Sequence, residues 1–174
     1  MTPDASPSTA HLATDPTTNL SPVNAPDRPA DIVVSAVVFR DDRGRVLTVR
    51  KAGTQRFMLP GGKREPGETA AQTAIRECAE ELGLELDPDR LSVLGVFLGD
   101  AANEPGHSLH SSVFTHPLES EPAAAAEIAE LRWLDPSQPL PDDLAPMLEH
   151  HALPALAARG ARLTQPPRDS RTAR

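Results

Sequence analysis

Glu77, Glu80 and Glu81 follow one another at i, i+3 and i+4. At about 100° per helical residue they fall within one arc of roughly 100°. Carboxylates on neighbouring turns repel one another and cost an isolated helix a few tenths of a kcal/mol. A hard cation such as Mg²⁺ reverses that sign, because it prefers oxygen ligands, keeps several waters and shares itself with substrate phosphates. Taken alone, the triplet reads equally well as a solvated acidic helix face.

The flanking residues decide between the two. Gly62 is followed after five residues by Glu68, and seven residues later comes Arg76-Glu77-Cys78-Ala79-Glu80-Glu81-Leu82-Gly83-Leu84. All seven fixed Gly, Glu and Arg positions of the Nudix box are matched, an agreement with a chance on the order of 10⁻⁸ at a given start. One aliphatic position holds Cys78, which packs like a small hydrophobe. The chain resembles the Nudix hydrolase family, of MutT type, tightly over residues 62–84. Leu59-Pro60-Gly61-Gly62 before the box and Glu127–Leu134 after it extend the likeness.

The resemblance implies an α+β fold, an α/β/α sandwich with a mixed central sheet that carries the box as loop-helix-loop. It implies Mg²⁺, with Mn²⁺ as the alternative, held by Glu77, Glu80, Glu81 and the main-chain carbonyl of Gly61. It implies that Arg76, with Glu68, orients the catalytic carboxylate. Glu68 lies eight residues before Arg76 and must fold back from the loop to reach it. The reaction implied is attack by water on phosphorus, with Glu77 as the favoured base. Glu127 is the candidate for a further ligand or base, and Glu130 is its competitor.

Several elements must position these groups. Ile32–Phe39 is β-branched and reads as a buried strand, and Val46–Val49 as a second strand hairpinned to it across Asp41-Asp42-Arg43-Gly44. Phe57-Met58-Leu59 is a short apolar run stopped by Pro60-Gly61-Gly62. A helix starts near Thr69, which forms a capping box with Gln72. Ala71, Ala74, Ile75, Cys78 and Leu82 make its apolar face, with the glutamates opposite, and Gly83 ends it. Leu91–Leu98, Leu109–Phe114 and Glu127–Leu134 read as strands, and Gly99–Gly106 as a polar loop. Leu140–Leu163 reads as largely helical, with Leu144, Met147, Leu148, His151 and Leu156 inward, and with Pro146 and Pro154 starting, kinking or splitting it.

Composition sets the limits. Residues 1–30 and 164–174 are rich in proline and polar residues and read as disordered tails around a domain at 31–163. The net charge of −8 argues against nucleic acid or anionic lipid as partner, but not against a small phosphorylated substrate, since a bound cation inverts local charge. One cysteine excludes an internal disulfide, and neither a membrane span nor a signal peptide is apparent, so cytoplasm is the expected location.

Cys78 reads as core. His107, His110 and His116 read as surface or pocket residues ahead of a metal site, and His150 and His151 as structural. Lys51, Arg56, Lys63 and Arg64 surround the box as candidate phosphate contacts. With four Phe, one Trp and no Tyr, base stacking has few candidates, and Phe57 and Trp133 read first as core. The function expected is Mg²⁺-dependent hydrolysis of a phosphoanhydride in a nucleoside diphosphate linked to another group, foremost a nucleoside triphosphate pyrophosphohydrolase. ADP-ribose or dinucleoside polyphosphate hydrolysis is one alternative and a nucleotide-sensing module another. Prenyl diphosphate isomerisation is discounted, because Cys78 lies in the helix core. Family resemblance also implies a homodimer. Specificity is expected in the loops around residues 99–110 and 116–127.

Overall fold

The β-branched run after Asp31 forms β1 (Ile32–Val38), one of the two inner strands of a mixed four-stranded sheet. The computed structural model describes residues 32–100 and 108–163. In this sheet β1 pairs antiparallel with β3 (Gly61–Lys63) and parallel with β5 (Ser108–Thr115), while β4 (Ser92–Asp100) pairs antiparallel with β5 and forms the far edge. Val37 and Phe39 enter one core cluster and Val38 the other. Burial on both faces explains why β1 reads as a continuous apolar run instead of an alternating one.

A second sheet joins β2 (Val46–Lys51) to β6 (Ile128–Leu134). The expected turn forms: the Gly44 N–H donates to the Asp41 carbonyl at 2.9 Å, with Gly44 at φ +79°. The expected hairpin does not continue. After the Leu47 N–H bonds the Phe39 carbonyl at 3.1 Å, the two strands diverge into separate sheets. Both edges of β1 are taken by β3 and β5, so β2 finds its partner in β6.

Pro60-Gly61-Gly62 also departs from the sequence reading, since it leads into β3 and does not end the extended chain. Gly61 stands at φ +145°, and a Cβ there would lie 2.1 Å from the Ser35 carbonyl oxygen. The glycine is required by close approach to β1.

Helix α1 (Ala70–Leu82) behaves as its sequence predicts. Thr69 accepts from the Gln72 N–H and Gln72 answers to the Thr69 N–H, closing the capping box. Such a cap stabilises by about 1 kcal/mol. Gly83 ends the helix at φ +65°. Ala74, Cys78 and Leu82 pack on Val37, Phe39, Leu47 and Val49.

On the other face of the sheet, Leu144, Leu148, Ala152 and Leu156 pack on Val38 and Val46. The C-terminal helix begins at Pro146, widens into a π turn over Leu148–Ala152 and continues as α2 (Leu153–Leu163). Pro154 explains the wide turn: its ring crowds the carbonyl four residues back, and it has no N–H for a regular bond. Helices thus lie on both faces of the main sheet, the expected α+β sandwich.

The expected tails at 1–30 and 164–174, His107 and most of the loop expected at 99–106 lie outside the described residues. Gly99 and Asp100 belong to β4. Among the described residues no helix is long and apolar enough to cross a membrane.

Candidate active site

Arg76 is the centre of the polar network on α1. Its Nε donates to Glu68 Oε1 at 2.7 Å and its Nη2 to Glu68 Oε2 at 3.1 Å, so Glu68 does fold back across two helical turns. Nη1 donates to Glu77 at 2.8 Å and to Glu80 at 3.1 Å, and Nη2 also reaches the Lys63 carbonyl at 3.1 Å. A planar guanidinium with five donors suits this work, which an ammonium could not reproduce. The Arg76 guanidinium beside Glu68 holds that carboxyl well below the usual range, at about 2. Thr73, buried and unremarked in the sequence reading, donates its hydroxyl to Glu68 at 2.8 Å. Its position three residues before Arg76, on the same helix face, was the available signal.

The glutamate triplet is not a solvated face opposite the apolar one. Glu81 is 1% exposed and Glu77 8%, while Glu80 is exposed. Helical geometry accounts for this, because Glu81 lies only about 20° around the helix from Ala74. Glu81 Oε2 accepts the Gly61 N–H at 2.9 Å. Glu77 lies against Gly62, where a Cβ would stand 2.4 Å from its carboxylate carbon and both oxygens. Lacking side chains, Gly61 and Gly62 let β3 settle onto the two acids.

Lys51 sits at the end of β2, where the register shifts. Its ammonium lies 2.8 Å from Glu81 Oε1 and 2.6 Å from Glu127 Oε1. Burial pulls the Lys51 pKa down, but Glu127 and Glu81 outweigh it and hold the group raised and charged. Burial pushes the Glu81 carboxyl up, against the pull of Lys51. The two shifts oppose each other in which form they favour. We take the ionised pair as the resting state, since Lys51 answers to two carboxylates.

A cavity of about 560 Å³ opens beside this cluster and is lined by Gly61, Gly62, Arg76, Glu77, Lys51 and Glu127 among others. Of the sequence candidates, Glu77, Arg76, Glu127 and Gly61 are thus brought to one cavity wall. Glu68 stands behind Arg76, Glu81 beneath Gly61, and Glu80 on the outer side of the helix, none of them in the lining. Glu130 is not in the lining either and pairs with Arg50 at 2.8 Å. Lys63 and Arg64 line the cavity, whereas Arg56 donates to the Leu144 carbonyl at 2.7 Å and does not.

Cys78, His116, His151, Phe57 and Trp133 are not in the lining. Cys78 is fully buried, and burial pushes its thiol up out of the reactive range. His116 is buried with its ring nitrogens 2.6 Å from the Pro117 carbonyl and 3.2 Å from that of Asp87. His151 packs against Phe97. Phe57 lies in the core under the Arg132 guanidinium, 3.5 Å from its ring centre, and Trp133 packs against the α1 core cluster.

Chemically, the cluster offers hard oxygen donors, a buried Glu81 carboxylate whose Oε1 faces the Lys51 ammonium, and a glycine cradle filled by Glu77. These features fit a divalent cation. Among the described residues no three acid, histidine or cysteine side chains converge as a metal-sized group. Arg76 and Lys51 hold the carboxylates in ion pairs that a metal would have to exchange.

The NUDIX domain profile matches residues 30–155. The chain is 36% identical over 131 residues to "Putative mutator protein MutT4" of Mycobacterium tuberculosis, an alignment covering 68% of this chain and 45% of that protein. It is 31% identical over 121 residues to "CTP pyrophosphohydrolase" of Escherichia coli, covering 66% of this chain and 82% of that one. In fold it is similar to the MutT protein of Methanosarcina mazei, with a TM-score of 0.61 at 17% identity, over 78% of this chain and 97% of the other.

Proposed function

The chain belongs to the Nudix domain family, and from that premise we propose that it is a Mg²⁺-dependent hydrolase of a nucleoside diphosphate linked to another group, foremost a nucleoside triphosphate. The observation that carries this reading is the placement of Glu77 on the wall of the cavity, held by Arg76 and seated on Gly62. A pyrophosphohydrolase is also what the name of the Escherichia coli relative describes.

Glu77, Glu80 and Glu81, with the Gly61 carbonyl, would hold the cation, with Mn²⁺ as the alternative. When bound, it neutralises charge on the diphosphate and lowers the pKa of water. Water attacks phosphorus, the bridging P–O bond breaks, and its electron pair leaves with the departing phosphate or nucleotide. Glu77 takes the proton from water. Arg76, tied by two bonds to Glu68, keeps the Glu77 carboxylate aimed at the cavity. Glu127, also on the wall, is the second acid. Lys63 and Arg64 meet the phosphates as charged donors.

The test is to incubate the protein with the four dNTPs, 8-oxo-dGTP, ADP-ribose and diadenosine polyphosphates, with and without Mg²⁺. Glu80→Gln serves as the control. A triphosphate that releases pyrophosphate only with Mg²⁺, and not with the variant, supports the reading. Metal-independent turnover, or turnover unaltered in the variant, would sink it.

The homodimer expected from the family is proposed on one feature. Val93, Val96 and Leu98 lie exposed on β4, the open edge of the sheet, and edge strands invite pairing with a second copy. Light scattering on the purified chain decides this, a monomeric mass being the contrary result.

A further inference from the structure

Both oxygens of Glu81 are engaged. Oε2 accepts the Gly61 N–H at 2.9 Å, and Oε1 faces the Lys51 ammonium at 2.8 Å. A cation that takes an oxygen from this buried carboxylate must displace one of those two donors.

The donors differ in how they are held. The Gly61 N–H is main chain, fixed where β3 pairs with β1. The Lys51 ammonium rides on a four-carbon stem at the end of β2, where the register shifts. Its own main chain is anchored, since the Thr54 N–H and hydroxyl both donate to the Lys51 carbonyl, at 3.1 and 2.9 Å. The half-buried side chain is the part left to move, and the cavity that it lines gives it room. Glu127, exposed at the rim, accepts the same ammonium at 2.6 Å. Lys51 can therefore give up Glu81 and keep a counter-ion.

Arg76 offers the contrast. The guanidinium that bonds Glu77 and Glu80 is itself clamped by two bonds to Glu68 and one to the Lys63 carbonyl. Residue choice runs the same way. Of the 17 lysines and arginines in the chain, only Lys51 and Lys63 are lysines, and both line the cavity. A planar fork suits a permanent clamp, and a compact ammonium on a flexible stem suits a contact that is made and broken.

Resting on the hydrolase reading, we propose that Lys51 is a built-in competitor of the cation. Its ammonium holds Glu81 Oε1 and yields that oxygen when metal is taken up, turning to Glu127 and the cavity. Lys51 thereby weakens metal binding and couples it to its own exposure. This is a positioning role, separate from proton transfer.

The experiment measures Mn²⁺ affinity by calorimetry for wild type, Lys51→Met and Lys51→Arg, in mildly alkaline buffer that keeps Glu81 ionised. Partners of metal ligands shift affinity by about 10- to 100-fold, and because Lys51 competes, Lys51→Met is expected to bind about tenfold more tightly. Lys51→Arg keeps the charge and should not tighten binding. An affinity unchanged or weakened in Lys51→Met overturns the proposal and leaves the hydrolase reading standing. Failure of both wild type and a folded Lys51→Met to bind overturns the two together. A second measurement uses the unaltered chain and decides the matter should Lys51→Met fail to fold. The rate at which acetic anhydride modifies Lys51, read by mass spectrometry, should rise about fivefold from chelator to saturating Mg²⁺, the equilibrium weight of a partly exposed ion pair. A rate that stays level or falls overturns the proposal.

Discussion

The Lys51 ammonium stands 2.8 Å from Glu81 Oε1, beneath the loop that carries Gly61 and Gly62, and the Glu81 side chain is 2% exposed. One lysine from the smaller sheet thus neutralises an acid of α1 across the core. Removing one partner of a buried pair leaves an uncompensated charge and costs about 3–5 kcal/mol. Lys51→Met is expected to lower the melting temperature by roughly 10 °C in chelator. Saturating Mg²⁺ should narrow that gap, because the cation takes over the neutralisation. Thermal unfolding in chelator and in Mg²⁺ checks both statements, and a gap unchanged by metal would show that the ion does not reach Glu81.

Glu127 and Glu130 compete for the role of second acid. Glu127 lines the cavity and shares Lys51 with Glu81, while Glu130 is tied to Arg50. Glu127→Gln is expected to lower kcat by about 10²-fold or more, the range of a positioned proton acceptor, and Glu130→Gln to leave it unchanged. Steady-state kinetics on both variants decides the matter, and the reverse ranking would transfer the role to Glu130.

Gly62 and Gly61 are adjacent but fail differently when substituted. At Gly62 an added methyl would meet the Glu77 carboxylate at 2.4 Å, a side chain able to move aside. Gly62→Ala should therefore fold and lose about 10²-fold in kcat, the cost of misplacing a reacting group by about 1 Å. At Gly61 the methyl would meet the Ser35 backbone at 2.1 Å, at a φ that L residues rarely adopt. Gly61→Ala should lose stability first. Melting temperatures and kcat for both variants separate the two effects, and a fully active Gly62→Ala would contradict the seat described for Glu77.

Helix α1 was legible from its residues because the signals are local: Thr69 and Gln72 cap it, Gly83 ends it, and Ala74, Cys78 and Leu82 mark the inner face. Burial of Glu77 and Glu81 was not legible in the same way. It depends on β3 and Lys51 closing over the helix edge, contacts between residues about 15–30 apart that no helical period encodes. The pairing of β2 with β6 escaped for the same reason, since the two strands lie some 80 residues apart and a short turn at Asp41–Gly44 suggests the nearer partner. The motif was legible in the residues, and its wiring through the Lys51 ion pairs and the Thr73 hydroxyl came only with the fold.

Glu68 sets a pH dependence whose sign follows from its pairing. Its carboxyl lies at about 2 in the folded chain against an ordinary 4.5, because Arg76, the Glu65 N–H and Thr73 all favour the charged form. A folded-state pKa below the unfolded one means that the native state binds the proton less readily. The stabilisation is therefore present above pH 4.5 and is lost as pH falls toward about 2. Glu68→Gln should be less stable than wild type at neutral pH, and the difference should shrink on acidification through that window. Urea unfolding of both proteins at neutral pH and at several values across the window measures it. A difference that stays constant with pH would mean that Glu68 contributes by packing or hydrogen bonding alone, and that its charge is not what holds Arg76 in place.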